Sequence, residues 1–178
     1  SLNGSISNHH NVAMGSQGTS VLDAMNYYSP LVPVKNANGS WYMSSGISQN
    51  YNPMSMIHED EYDTESKRLQ GVAKASYDIL DGLVYNLSVS YQNEQYIYSN
   101  YNTINSQIYA SQHGMASRTA VEHKKKVLET YLNYDKTFSD AHKVSLMGGY
   151  SWEQSDGNDG FGLTVYNFYN DDLKYYNL

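Results

Sequence analysis

Cysteine is absent from all 178 residues, so neither a disulfide framework nor a thiolate metal site can form, and thiol usage says nothing about the compartment. No apolar run approaches the roughly 20 residues of a membrane helix, which excludes a helical membrane protein and leaves a β-barrel open. No charged-then-apolar signal peptide opens the chain. Charged residues make up only 16%, the formal net charge is -7, and no Lys/Arg block appears beyond Lys124 to Lys126, which argues against a nucleic-acid partner. Phenylalanine and tryptophan are scarce, at 3 and 2, whereas tyrosine reaches 19. Such a bias suits surfaces where one end of a ring is dry and the other wet: interfaces, membrane girdles and sugar-binding clefts.

Length and a hydrophobic content of 40% would ordinarily describe one soluble domain. Periodicity describes it better. Leu83, Tyr85, Leu87, Val89 and Tyr91 alternate with Val84, Asn86, Ser88, Ser90 and Gln92, which predicts a strand with one apolar face. Before the turn at residues 78–82, Leu69, Gly71, Ala73, Ala75 and Tyr77 alternate with Arg68, Gln70, Val72, Lys74 and Ser76. A second pair repeats the plan, with Leu128, Thr130, Leu132 and Tyr134 before a turn around Phe138 to His142, then Val144, Leu146, Gly148, Tyr150 and Trp152. Centring the turns near Leu80 and Asp140 keeps all these apolar sets on one face, as pairing requires. Leu2, Gly4 and Ile6 look like the end of a fifth strand, Val21 to Tyr28 like a helical turn, and Val32 to Met43 like a small hairpin around Asn38-Gly39.

The short turns contrast with long polar segments at residues 8–66, 96–125 and 154 onward, expected as loops on one side of the sheet. Strands of ten or more residues with this asymmetry suit a membrane barrel, whose strands need about 9 to 11 tilted residues. The alternative is a soluble, aromatic-rich, carbohydrate-binding β-sandwich module, whose strands run about 5 to 6 residues. Tyr77, Tyr85 and Phe138 near the short turns, with Tyr91, Tyr150 and Trp152 near the far ends, are placed as two interfacial girdles; ordinary β-propensity explains them equally simply. Beginning at Ser1 and ending on Lys174-Tyr175-Tyr176-Asn177-Leu178, the chain reads as a fragment.

Asn52-Pro53-Met54, Tyr62-Asp63-Thr64, Arg68-Leu69-Gln70-Gly71 and Tyr77-Asp78-Ile79-Leu80-Asp81-Gly82-Leu83 resemble barrel segments of SusC/RagA-type TonB-dependent outer-membrane transporters. Tyr131 to Phe138, Gly149 to Glu153 and Tyr166 to Leu173 resemble them in the same order, so the likeness covers most of the chain. What the resemblance implies is an importer of glycans or other oligomeric nutrients, oligosaccharides or peptides, in the outer membrane of a Gram-negative bacterium. Such a protein has an N-terminal plug inside a barrel of about 22 strands. On this reading residues 1–178 are an all-β, antiparallel transmembrane β-barrel segment, about five strands of a larger plugged barrel with long extracellular loops and no plug domain. The implied partners are a SusD-like surface lipoprotein that caps the barrel, the TonB complex reached through the missing N-terminal part, the ligand and outer-membrane lipid.

Catalysis is not expected, and no cofactor or metal is assigned. Glu94, Glu129 and Glu153 share the polar face, but a water-lined wall carries such carboxylates routinely, and hydrolysis needs one acid with a raised pKa at a defined distance from the other. His58-Glu59-Asp60-Glu61-Tyr62-Asp63 and His9-His10 read as a charged face or loop end, and Asp156-Gly157-Asn158-Asp159-Gly160, lacking the spacing of a calcium loop, as a solvated turn. The candidate ligand- or partner-binding residues are the loop aromatics Trp41, Tyr42, Tyr96, Tyr98, Tyr101, Tyr109, Phe161, Tyr166, Phe168 and Tyr169, because flat rings stack on sugars and anchor protein contacts. Packing of loop against loop is the competing use for each.

Overall fold

The computed structural model describes residues 1–11, 20–43, 51–138 and 142–178. Its strands form one sheet in chain order: β1 (Leu2–Asn11), β2 (Asp60–Leu80), β3 (Leu83–Asn102), β4 (Met115–Phe138) and β5 (His142–Tyr166). β1 and β5 are its two edges, and the sheet is not closed within this chain. The expected all-β, antiparallel architecture is therefore present. Two short helices, α1 (Val21–Tyr27) and α2 (Pro53–Glu59), lie between β1 and β2.

Side-chain contacts fix the register. The Ser1 ammonium donates to Val72 O at 2.7 Å, and the Ser7 and Ser66 hydroxyls meet at 2.7 Å, so β1 runs antiparallel to β2 without a slip. Arg68 reaches Glu94 at 3.1 Å and Gln92 at 3.2 Å, which places the even-numbered residues of β2 and β3 on one face. The turn between these strands is Asp81-Gly82 alone. Gly82 has φ +80°, and a Cβ there would lie 2.2 Å from the Asp135 carbonyl oxygen, so both conformation and close approach demand glycine. In the second hairpin Ser145 donates to Asp135 and Lys125 pairs with Glu153 at 2.8 Å, as a turn centred near Asp140 requires; residues 139–141 lie outside the described residues.

Strand length departs from expectation. β2 and β3 hold 21 and 20 residues, β4 and β5 hold 24 and 25, and each extends well into segments expected as loops. The stretch Asp156 to Gly160, expected as a solvated turn, is strand. Beyond the apolar stretches polar and apolar side chains fall on both faces, as in Tyr96-Ile97-Tyr98-Ser99, so hydropathy loses its period of two while backbone pairing continues.

Two compact units divide these strands. Unit 1 comprises Ser1–Ile6, Lys67–Gln95 and Val121–Asp159. None of its described residues is a buried hydrophobic; Leu2, Tyr77, Leu146, Met147 and Tyr150 are instead more than half exposed. Unit 2 comprises Ser7–Ser66, Tyr96–Ala120 and Gly160–Leu178, and it holds all the buried apolar residues described. One cluster packs Tyr101, Ala116, Phe168 and Tyr175 with Ile104 and Val165, and the other packs Val21, Ala24 and Met56 with Tyr51.

The helices of unit 2 follow from their caps. Ser20 and Asp23 form a capping box, whose hydrogen bonds from Ser20 hold the Asp23 carboxyl below the usual range. Val21 and Ala24, one turn apart, supply the buried side of α1. In α2 the Asn52 side chain accepts from the Met54 N–H and Pro53 occupies the first turn. The expected small hairpin is present: Lys35 bridges Trp41, and the Tyr42 N–H donates to Val34 O at 3.1 Å.

Candidate functional site

Every loop aromatic expected to bind ligand or partner falls in unit 2. Asn52, fully buried, organises the region around the first of them. Its amide donates to Val34 O at 2.7 Å and Tyr42 O at 3.4 Å, and its own N–H donates to Gln107 Oε1 at 2.8 Å. Gln107 Nε2 returns to Tyr42 O at 3.0 Å. Asn52 thus joins the small hairpin and α2 through its side chain and the segment after β3 through its backbone N–H, and the Tyr42 backbone is part of that joint.

Trp41 is held on several sides. Its Nε1–H donates to Glu59 at 2.7 Å, its ring stacks on His58 with centroids 5.6 Å apart, and the Lys35 ammonium lies 4.3 Å from the ring centroid. It borders a cleft of about 810 Å³ with Lys35, Asn36, Ser40, Glu59 and Asn105. A ligand stacking on Trp41 here must share the ring with His58 and Lys35.

Tyr101 and Phe168 are brought together as core, edge to face with centroids 5.7 Å apart. Burial first, and then the hydrogen bond to Asp171, push the Tyr101 hydroxyl above the usual phenol range. Tyr175 is raised in the same way by burial and by donation to Asp63 at 2.5 Å. Tyr109 and Tyr166 approach at 6.3 Å; Tyr109 is buried, while Tyr166 opens onto a shallow hollow with Gln112, His113 and Asn167. Tyr96 and Tyr98 stack nearly parallel at 6.1 Å on β3. Phe161 is 78% exposed and Tyr169 fully exposed, so these two present whole rings to a partner.

The acidic run from the end of α2 into β2 makes hydrogen bonds within unit 2. Glu59 accepts from Trp41 and Thr103, Asp60 from Asn102 and Ser106 at 2.7 Å each, Glu61 pairs with Lys174 and Asp63 with Tyr175. Among the described residues no three His, Asp or Glu side chains gather as a metal site requires, and the side chains of His9 and His10 lie outside those described. Of the three wall carboxylates, Glu94 and Glu153 are ion-paired to Arg68 and Lys125, and Glu129 is exposed.

Sequence reasoning missed Asn52 as the organiser of this region and missed α2 altogether. The signal was present in Asn52-Pro53, a side-chain cap followed by proline at the first helical position.

The class of structure is a long-stranded, all-β sheet, not closed within this chain, with a hydrogen-bonded loop assembly. No family model matches the chain. It is similar to TonB-dependent receptor P3 of Formosa agariphila, 24% identical over 164 residues, which is 92% of this chain. The chain spans only 16% of that relative's length.

Proposed function

We propose that this chain is a barrel segment of a Gram-negative outer-membrane, TonB-dependent importer of the SusC/RagA type, taking up glycans or other oligomeric nutrients. The uncovered apolar face of unit 1 carries this reading. A soluble sandwich buries such a face under a second sheet, whereas a membrane strand turns it to lipid. Here the described strands make a single meander; Leu2, Leu69, Tyr77, Leu146 and Tyr150 of that face stay exposed, while Leu83, Leu87 and Leu128 are half-buried and none of its described residues is buried. Likeness to a TonB-dependent receptor along 92% of the chain supports the same conclusion.

The crossing stretches in this reading are residues 69–77, 83–91, 128–134 and 144–152, next to the short connections. The opposite face, with its Arg68–Glu94 and Lys125–Glu153 pairs, lines the water-filled side. Unit 2 is then the extracellular part, where exposed Phe161, Tyr166 and Tyr169 and the Trp41 cleft meet ligand or a SusD-like lipoprotein. Tyr101 and Phe168 support that surface from beneath. The TonB contact and the plug belong to the rest of the parent protein.

The test is expression of the full-length parent in a Gram-negative host. It should fractionate with the outer membrane and require detergent for extraction, and a single cysteine at Asn38 or Asn105 should react with an impermeant reagent on intact cells while one at Asp81 should not. Labelling at Asp81, or release into the soluble fraction, would defeat the proposal.

A further inference from the structure

Asn102 is fully buried, and its amide is only half used. Nδ2 donates to Asp60 Oδ1 at 2.7 Å, whereas Oδ1 is sealed in the interior and accepts from nothing among the described residues. Buried acceptors of folded proteins nearly always have a donor, so one is expected to reach this oxygen. Asp60 is lopsided in the complementary way. Its Oδ1 accepts twice, from Asn102 and from the Ser106 hydroxyl, also at 2.7 Å, while Oδ2 accepts from nothing among the described residues. No described Lys, Arg or His pairs with this half-buried carboxyl. The charged group that faces it is the Glu59 carboxylate of α2, and β3 and the segment after it present Asn102 and Ser106, which are neutral.

We propose that Asp60 is a proton-binding site: in the folded protein its Oδ2–H donates to Asn102 Oδ1 while Asn102 Nδ2 donates to Asp60 Oδ1, and this proton regulates the Trp41 cleft. An amide and a carboxyl are flat groups of equal width. One proton therefore supplies the missing donor, occupies the idle oxygen and removes a charge that has no partner. Burial, helped by the Glu59 charge, holds the Asp60 carboxyl above its usual range against the two hydrogen bonds to Oδ1. Residues 59–60 and 102–103 carry the effect to the cleft. The Thr103 N–H donates to Glu59 O at 2.9 Å and the Thr103 hydroxyl to the Glu59 carboxylate, which also accepts the Trp41 Nε1–H at 2.7 Å. When the proton leaves to solvent, Asp60 Oδ2 and Asn102 Oδ1 are two acceptors without a donor, and a second negative charge stands beside Glu59. Both changes loosen the support of the Trp41 ring. Because the folded carboxyl titrates above its unfolded value, the pair is intact below the folded pKa and lost as pH rises through it, so the cleft is best formed in acid. Only the use of that cleft by a ligand rests on the function proposed above; the proton does not.

Infrared difference spectroscopy of the full-length parent, made with isotope-labelled aspartate, tests the proton. The carbonyl band of a protonated carboxyl should be present in the parent, absent in Asp60→Asn, and should fade as pH rises. Ser106→Ala takes a donor from the charged form and should move that midpoint up by about one pH unit. The indole N–H resonance of Trp41, assigned with Trp41→Phe, should shift with the same midpoint in the parent. It should stay flat with pH in Asp60→Asn, whose amide keeps a donor for Asn102 Oδ1 at every pH. A parent without the Asp60 band, as when a water meets Asn102 instead, or a midpoint that does not rise in Ser106→Ala, overturns the proton site. A Trp41 resonance that ignores the midpoint of the band overturns the regulation of the cleft. Both readouts are independent of outer-membrane insertion, which fractionation of the same variants decides separately, so failure of the membrane reading and failure of the proton site are distinguishable.

Discussion

The Tyr101 hydroxyl donates to the Asp171 carboxylate at 2.5 Å, and the same carboxylate oxygen accepts from the Ile104 N–H at 3.1 Å. One acid thus ties the end of β3 to the segment that follows β5, and Phe168 and Tyr175 pack against the tyrosine ring from that segment.

Removing the hydroxyl should therefore loosen the segment. Tyr101→Phe keeps the ring but takes one donor from Asp171, at a cost of about 1 kcal/mol, the net worth of a typical hydrogen bond, since the half-buried carboxylate keeps the Ile104 N–H. Hydrogen exchange in the full-length protein should then quicken at residues 167–178 while residues 83–91 keep their protection. Unchanged exchange at residues 167–178 would show that the hydrogen bond contributes little.

Asp60 makes unit 2 sensitive to pH. Burial raises its carboxyl above the usual range, against the hydrogen bonds from Asn102 and Ser106 and with the help of the nearby Glu59 charge. The folded state therefore binds the proton more tightly than the unfolded chain. Stability should fall as pH rises from about 4 through the folded pKa, with the loss complete above it. Asp60→Asn keeps an oxygen to accept from Asn102 and Ser106 and should flatten that slope. The check is exchange protection of residues 99–106 as a function of pH, and an unaltered slope in the variant would rule out Asp60 as its source.

Much of unit 1 was legible because hydropathy alternation and tight turns are local. Leu83 to Tyr91, the turn glycine at Gly82 and the common face of the hairpins needed no distant information. The ends of the strands were not legible, since around Asn93 to Asn102 and Met115 to Lys126 apolar and polar residues fall on both faces without a period of two, and nothing in the pattern separates strand from loop. Tyr101 and Tyr169 show the same limit at the site. Each is a tyrosine in a polar stretch, yet one is core and the other fully exposed. Only the packing of residues 167–178 onto Tyr101 and Ala116 distinguishes them.

The two faces of β3 should respond differently to charge. Leu87→Arg, on the apolar face, should destabilise the parent barrel by about 2 to 4 kcal/mol if it sits near the bilayer midplane. Ser88→Arg, pointing to the side of Gln92 and Glu94, should cost much less because successive strand residues face opposite ways. Reversible folding into lipid vesicles measures both. Equal costs would mean that the apolar face is not the one turned to lipid.

The loop aromatics should separate into two classes when truncated. Phe168→Ala removes a buried ring from the Tyr101 cluster and should cost unit 2 about 3 to 5 kcal/mol, with less protein assembled in the outer membrane. Phe161→Ala and Tyr169→Ala remove rings that nothing covers, so assembly should match the parent. Any effect of these two belongs to recognition, where an anchoring aromatic contributes about 1 to 3 kcal/mol, a tenfold or larger change in affinity. Binding of the proposed ligand and of the proposed lipoprotein partner should therefore weaken in the Phe161→Ala, Tyr169→Ala double variant. Neighbouring residues 168 and 169 make the contrast sharp, since the same truncation one position apart moves folding in one case and binding in the other. If the double variant assembles, transports and binds like the parent, recognition lies elsewhere in unit 2, and the Trp41 cleft becomes the surface to examine.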